Sequence, residues 1–295
     1  ALTRTRFAAG CVTPLCQDAC VTSSIPKDRT VAALGEVWAS LGELLGDLTD
    51  EQWRLASPLP GWSVQDNVSH IVGTEAMLAG EPGPTIDIDR DANEHVRNDI
   101  GAFNEQWVEA LRVVQPNEVL SRFRELTGAR LATLDQMSVD EWNAESFTPA
   151  GRDTYGRFMQ IRVFDCWLHE QDIRDAVGQP GHQTGLAVEV VLDEMATALG
   201  FVVGKKAGAS AGESVTFALT DGGAVVRELH VEVGERAAVV AALSGPATVV
   251  LTMPVGVMTR RCAGRVGPDD LLDQVVIDGD LSLASRILDN QSYTI

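Results

Sequence analysis

The stretch Phe158-Met-Gln-Ile-Arg-Val-Phe-Asp-Cys-Trp-Leu-His-Glu-Gln-Asp-Ile-Arg174 combines a helical repeat of apolar residues with a line of charge. On a 3.6-residue period, Asp165, His169 and Asp172 stand at i, i+4 and i+7 and fall on one face. Phe158, Ile161 and Phe164 make that face or its border apolar, so the polar line is expected to point inward. Ionised carboxylates without partners are costly to bury. A metal ion resolves the conflict, because imidazole and carboxylate are both zinc ligands.

A third ligand candidate comes from Pro60-Gly-Trp-Ser-Val-Gln-Asp-Asn-Val-Ser-His70. His70 is flanked by Val64, Val68, Ile71 and Val72, the setting of a buried helix face. Two such helices facing each other in a bundle bring His70 to Asp165 and His169, and three protein ligands leave a fourth position open for chemistry. The bland alternatives are a surface i,i+4 pair for Asp165 and His169 and a satisfied core histidine for His70. Trp62 and Trp167 are the tryptophans nearest the proposed ligands and are expected to line a cofactor pocket. Cys166 points about 100° away from Asp165 on the helix and reads as a buried structural thiol. His95, His182 and His230 read as structural or solvent-facing.

The bundle reading extends outward along the chain. Val31, Leu34, Trp38, Leu41 and Leu45 place a helix over 27–47. Thr49-Asp-Glu-Gln52 has capping-box form, and Ser63 with Asp66 three residues on opens a helix running to about Ala79. Further helices are expected over about 91–113 and 117–137, with a strandless connecting loop from Met137 to Gly156. The motif helix covers about 155–177 and is closed by Gly178 with Pro180 just beyond. After Gly181 the pattern changes. A helix over about 185–202 leads into a linker from Gly204 to Gly212, then β-branched runs at Ser214–Leu219, Val225–Val233 and Thr248–Met253. Asp221-Gly222-Gly223 joins the first two runs as a hairpin. Helices are expected near 254–263 and 280–288, with a strand at Gln274–Ile277 between them. The expected division is an N-terminal extension (1–26), a helix bundle (27–181) and an α+β domain (182–295).

Composition bounds the function. Of 295 residues, 42 are acidic and 23 basic, for a net charge of −19. That disfavours both a phosphate-binding surface for nucleic acid and docking on anionic lipid. No run of about 18 apolar residues is present, so no spanning helix is expected. The five cysteines are odd in number and scattered, unlike a disulfide framework. Cys11, Cys16 and Cys20 cluster near the start, but no second ligand pair follows to make a zinc knuckle. The same region has no continuous apolar core of a secretory signal, and the cytoplasm is the default compartment. No nucleophile elbow and no phosphate-binding loop is present.

Leu48-Thr-Asp-Glu-Gln-Trp53, Pro60-Gly-Trp-Ser-Val64, Asn67-Val-Ser-His-Ile71 and Phe164-Asp-Cys-Trp-Leu-His-Glu-Gln-Asp-Ile-Arg174 together resemble the actinobacterial mycothiol-dependent maleylpyruvate isomerase family, of the DinB-like metalloprotein superfamily. Thr216-Phe-Ala-Leu-Thr-Asp-Gly222, Cys262-Ala-Gly-Arg-Val266 and Ile277-Asp-Gly-Asp-Leu281 resemble that family's second, sterol-carrier-like α+β domain. The resemblance implies a DinB-like four-helix bundle holding a divalent metal, usually zinc, on His70, Asp165 and His169. Asp165 stands where the isomerase pattern has glutamate, one methylene longer. The resemblance also implies mycothiol as cofactor or co-substrate and a small electrophilic substrate, acted on by an isomerase or a thiol S-transferase. Within that reading Asp172 is a proton shuttle or a group supporting the ligands, the alternative being a helix-pairing carboxylate. Arg265 binds a substrate carboxylate across the domain boundary or forms a structural ion pair. Arg174 faces the pocket or is a solvated arginine near the helix end. A rival from another class is a non-catalytic protein with a structural metal that carries an apolar ligand in its second domain. Oligomeric state has no signature in the sequence.

Overall fold

The computed structural model describes residues 24–93 and 95–294; the three N-terminal cysteines lie outside them. The helical half contains α1 (Lys27–Gly46), α2 (Asp50–Trp53), α3 (Val64–Leu78), α4 (Asp99–Arg112), α5 (Pro116–Gln136), α6 (Val139–Trp142), the hairpin β1 (Glu145–Thr148) and β2 (Gly151–Thr154), and α7 (Tyr155–Val177). Four long helices close a ring: α1 packs on α5 and α7, and α3 packs on the same two. Helix α4 lies outside the ring against α3. The ring encloses Leu34, Leu41, Val68, Ile71, Leu134 and Val163, all fully buried. Each buried side chain of this kind contributes roughly 1.5–3 kcal/mol.

Local chemistry sets the helix ends. Thr49 and Ser63 form the two expected capping boxes, with Gln52 and Asp66. Gly178 adopts φ +68° at the end of α7, and the following amide donates back to Arg174 O. The third helix starts at Asp99 rather than near 91. Asn98 caps it through Gly101 N, while Asp89 Oδ1 accepts from the amides of Asp91 and Ala92 and holds that segment in turns. The span from Met137 to Gly156 is not a plain loop. Ser138 and Glu141 cap a short helix, and a hairpin follows in which Phe147 is exposed. The side they bury carries Thr148 and Thr154 rather than apolar residues, so those strands give no alternating apolar signal.

The second half opens with α8 (Leu186–Phe201), which runs on through a π-turn over Val202–Lys206 into what the sequence reads as linker. Then come β3 (Ser214–Asp221), β4 (Ala224–Val233), β5 (Ala237–Val240), β6 (Val249–Pro254), α9 (Val255–Cys262), β7 (Val276–Gly279) and α10 (Leu281–Asp289). The sheet order is β5-β4-β3-β6-β7, with β3 and β6 parallel and the other pairs antiparallel. Edge strand β5 is short and half alanine, which explains why its sequence gives no strand signal. Phe217, Val231 and Leu251 lie fully buried on the sheet, over which α8, α9 and α10 pack.

Helix α8 packs on α1 and α7 as well as on β4 and β5. The loop that leads into it is pinned by His182, a non-glycine residue at φ +54°. Its Nδ1 lies 2.8 Å from Glu170 Oε2 and its Nε2 3.1 Å from Glu36 Oε1, while its carbonyl accepts from Trp167 Nε1 at 2.9 Å. Burial disfavours the imidazolium, but the two carboxylates outweigh it and raise the His182 pKa. A raised folded-state pKa contributes stability that is fully present below the unfolded value of about 6.5 and is lost as the pH climbs through the folded value. Urea midpoints of the parent should therefore fall across that window. The His182→Gln protein should be less stable on the acid side and show a shallower fall; equal slopes for the two proteins would discount the imidazolium.

Candidate metal centre

Helix α3 presents His70 and helix α7 presents Asp165 and His169 to one point, as the spacing requires. One donor atom from each residue can be chosen so that all lie within 4.8 Å of one another. His70 Nε2 is 3.2 Å from Asp165 Oδ2, and His169 Nε2 is 3.6 Å from Asp165 Oδ1. Tetrahedral donors at bonds of about 2.0–2.1 Å stand about 3.3 Å apart, close to these two separations, which run to different oxygens of Asp165. Both histidines are 6% exposed.

The protonation pattern also fits a cation. Asn67 Nδ2 donates to Ser63 O at 2.8 Å, which turns Oδ1 toward His169. That oxygen can only accept, so His169 Nδ1–H donates to it at 2.8 Å. The Nε2 lone pair of neutral His169 then faces the Asp165 carboxylate, two acceptors in contact that need a proton or a metal between them. The pKa directions show where positive charge is favoured. Burial of Asp165 disfavours its anion, yet His70, Arg162 and His169 together hold it well below the usual carboxylate range. Burial opposes charge on His169, but Asp165 and Asp172 win and raise it. For His70, burial wins and lowers it. His70 Nδ1 is buried without a hydrogen-bond partner.

Behind the ligands runs a chain of buried charge. Arg162, on α7, donates to Asp165 Oδ2 and from Nε to Glu75 Oε1 at 3.0 Å. Glu75, on α3, accepts at its other oxygen from Arg130 Nε of α5 at 3.0 Å. Arg162 Nη2 also lies 3.3 Å from Cys166 Sγ. Burial nevertheless pushes that thiol up to about 12, so Cys166 is a packed and unreactive group.

Asp172 is 2% exposed and accepts from Arg265 Nε at 3.0 Å and Nη2 at 3.0 Å, a bidentate pair between α7 and the segment after α9. Its Oδ2 also lies 3.5 Å from His169 Nδ1. Burial opposes ionisation of Asp172, and His169 and Arg265 more than offset it. Asp172 and Arg265 thus meet beside His169 as an ion pair between α7 and the segment after α9. Trp62 covers the site, with its ring centroid 5.5 Å from His70 and 5.8 Å from His169. Trp167 does not line the site. It is fully buried about 200° round the helix from Asp165, and its indole holds the His182 carbonyl. Arg174 is likewise drawn away from the pocket and from solvent by Glu170 and Ser40. The sequence reading assigned no role to Asn67 or Glu105. Asn67, three residues before His70, stands on the same helix face, a spacing that could have exposed it.

Residues 34–174 match the family model of the mycothiol maleylpyruvate isomerase N-terminal domain, in agreement with the resemblance carried by the motifs. A crystal structure of the mycothiol-dependent maleylpyruvate isomerase is similar over 87% of this chain and 95% of its own, at 18% identity and a TM-score of 0.52. A histidine-to-alanine mutant of that isomerase is similar over the same shares, at 17% identity and a TM-score of 0.53. At these identities the likeness is one of fold. No curated protein matches the chain in sequence.

Arg162 joins the Asp165 carboxylate to the bundle interior, so replacing it removes the one cation they share from half-buried Asp165 and fully buried Glu75. The Arg162→Met protein should lose about 3–5 kcal/mol of stability in urea unfolding, the cost of breaking a buried pair by removing one partner. A loss under about 1 kcal/mol, the size of an exposed pair, would show that the network is solvated.

Proposed function

We propose that this chain is a metal-dependent cytoplasmic enzyme that uses mycothiol to attack a small electrophilic substrate, as an isomerase or a thiol S-transferase. The observation that carries the reading is the convergence of His70, Asp165 and His169 from two helices, with a carboxylate facing an imidazole lone pair. The match of residues 34–174 to a mycothiol isomerase domain supports the thiol. A divalent ion, zinc in this reading, supplies positive charge that favours the thiolate form of the cofactor.

The chain's own residues do the rest. Asn67 holds the His169 tautomer, and Arg162 orients Asp165, each leaving donor atoms aimed at the shared point. Around that point Glu75, Asp165 and Asp172 are matched by Arg130, Arg162 and Arg265, so the paired surroundings neutralise one another and an entering anion gains most from the ion itself. Arg265 uses Nε and one Nη2–H on Asp172 and one Nη1–H on Ala263 O. A guanidinium has five N–H groups, so one hydrogen on each terminal nitrogen remains for a substrate carboxylate. After the thiol adds to one carbon of a conjugated double bond, rotation about the resulting single bond and elimination of the same thiol give the other isomer; release of the adduct, or departure of a halide from the attacked carbon, gives transfer. Arg162 holds the shorter Asp165 carboxylate in place. The non-catalytic alternative needs a site for an apolar ligand in the second half, where helices cover Phe217, Val231 and Leu251 while Val225, Val226 and Val239 stay exposed.

Metal analysis after anaerobic purification of the full chain should give about one zinc per chain, with most of it lost in Asp165→Ala and His169→Ala. Mycothiol should accelerate the reaction of maleylpyruvate or an activated aryl halide in the parent and not in His169→Ala. Cobalt-loaded protein should gain a sulfur-to-cobalt absorption band on adding mycothiol. Absence of that band together with absence of acceleration would falsify the thiol-enzyme reading.

A further inference from the structure

Resting on the functional reading above, we propose that Glu105 is a positioning residue that fixes the Trp62 indole as the aromatic wall of the metal centre, the surface against which a flat conjugated electrophile packs. Glu105 is fully buried on α4, outside the helix ring. A carboxylate at that depth needs partners, and it has three. Trp62 Nε1 donates to Oε2 at 2.9 Å, His95 Nε2 lies 3.0 Å from the same oxygen, and Arg112 Nη2 lies 3.2 Å from Oε1 as an ion pair without hydrogen-bond geometry.

All three partners act on the loop that carries Trp62. Gly61 adopts φ +79°, and a side chain there would come within 2.9 Å of the His95 ring. Gly61 O accepts from Arg112 Nη2 at 3.0 Å, and Trp62 O accepts from Ser57 N at 2.9 Å. The backbone on both sides of Trp62 is thereby held, while Glu105 fixes the polar edge of the indole. With that edge tied, the ring plane is set at 39° to His70 and 33° to His169 and spans both. An apolar residue at 105 would fill the same space but would not orient the ring. The π-face of an indole packs well against an electron-poor planar group, and a conjugated electrophile is such a group. Glu105 touches neither the metal ligands nor the substrate, and it acts through Trp62.

The test uses the isotope-labelled full chain without added metal. Nuclear Overhauser contacts between the Trp62 ring and the His70 and His169 rings, assigned with Trp62→Phe, should appear in the parent. They should persist in Glu105→Gln, whose amide oxygen still accepts from the indole, and vanish in Glu105→Ala. Contacts that survive in Glu105→Ala overturn the proposal. In the zinc-loaded enzyme with mycothiol and maleylpyruvate, Glu105→Ala should raise KM for maleylpyruvate by about tenfold with little change in kcat. The Trp62→Phe/Glu105→Ala double variant should be no worse than Trp62→Phe alone, since one acts through the other. Zinc content should match the parent; an unchanged KM or a lost zinc ion counts against the proposal. A parent that binds no zinc and turns nothing over defeats the functional reading, and the ring contacts alone then decide the role of Glu105.

Discussion

Pairing of the charges buried between α3 and α7 governs this molecule. Glu75 and Arg162 are each no more than 3% exposed and are bonded to each other, to Arg130 on α5 and to Asp165 in the candidate metal centre. Taking such groups out of water costs several kcal/mol per ion, and attraction in the interior repays this only with good geometry. The network is therefore a poor source of net stability, which comes from the apolar interior of the helix ring. What it supplies is register. Three helices are compatible with a satisfied network only where Glu75, Arg130 and Arg162 meet, and that arrangement sets His70 opposite Asp165 and His169.

The same logic joins the two halves of the chain. Asp172 projects from the motif helix to Arg265 beyond α9, and Glu170 projects from it to His182 in the loop before α8. The motif helix thus carries Asp165, His169 and the junction residue Asp172 on one line, and the second junction residue, Glu170, about 100° round from His169. Any substrate seated on Arg265 would sense both halves, because the guanidinium belongs to the sheet-bearing half and its partner carboxylate to the bundle. Trp62 completes the enclosure from a third direction through Glu105.

Helices with a continuous apolar side were readable from the residues. The spans of α1, α5 and α7 agree with their periodic patterns, and the caps at Thr49, Ser63 and Gly178 form where their chemistry places them. Elements lacking a buried apolar side were misread. The segment ahead of Asp99 reads as helix but holds turns built on Asp89, and the exposed hairpin β1–β2 reads as a loop. Side-chain direction was readable only within one element: Asp165 and His169 share a face, whereas Trp167 turns to the opposite side and anchors the loop before α8.

The convergence of Asp165 with His169 was set by the chain itself, because a helix repeats every 3.6 residues whatever surrounds it. The glycine and capping residues that end these helices act over two or three positions and are written into the sequence in the same way. Contacts between distant elements carry no such periodic mark. Arg265 with Asp172 joins residues 93 apart and Trp62 with Glu105 residues 43 apart. Packing alone selected those partners, from 42 acidic side chains that look alike in the sequence. A buried carboxylate must find a donor, but which one it finds depends on how the helices and the sheet are stacked.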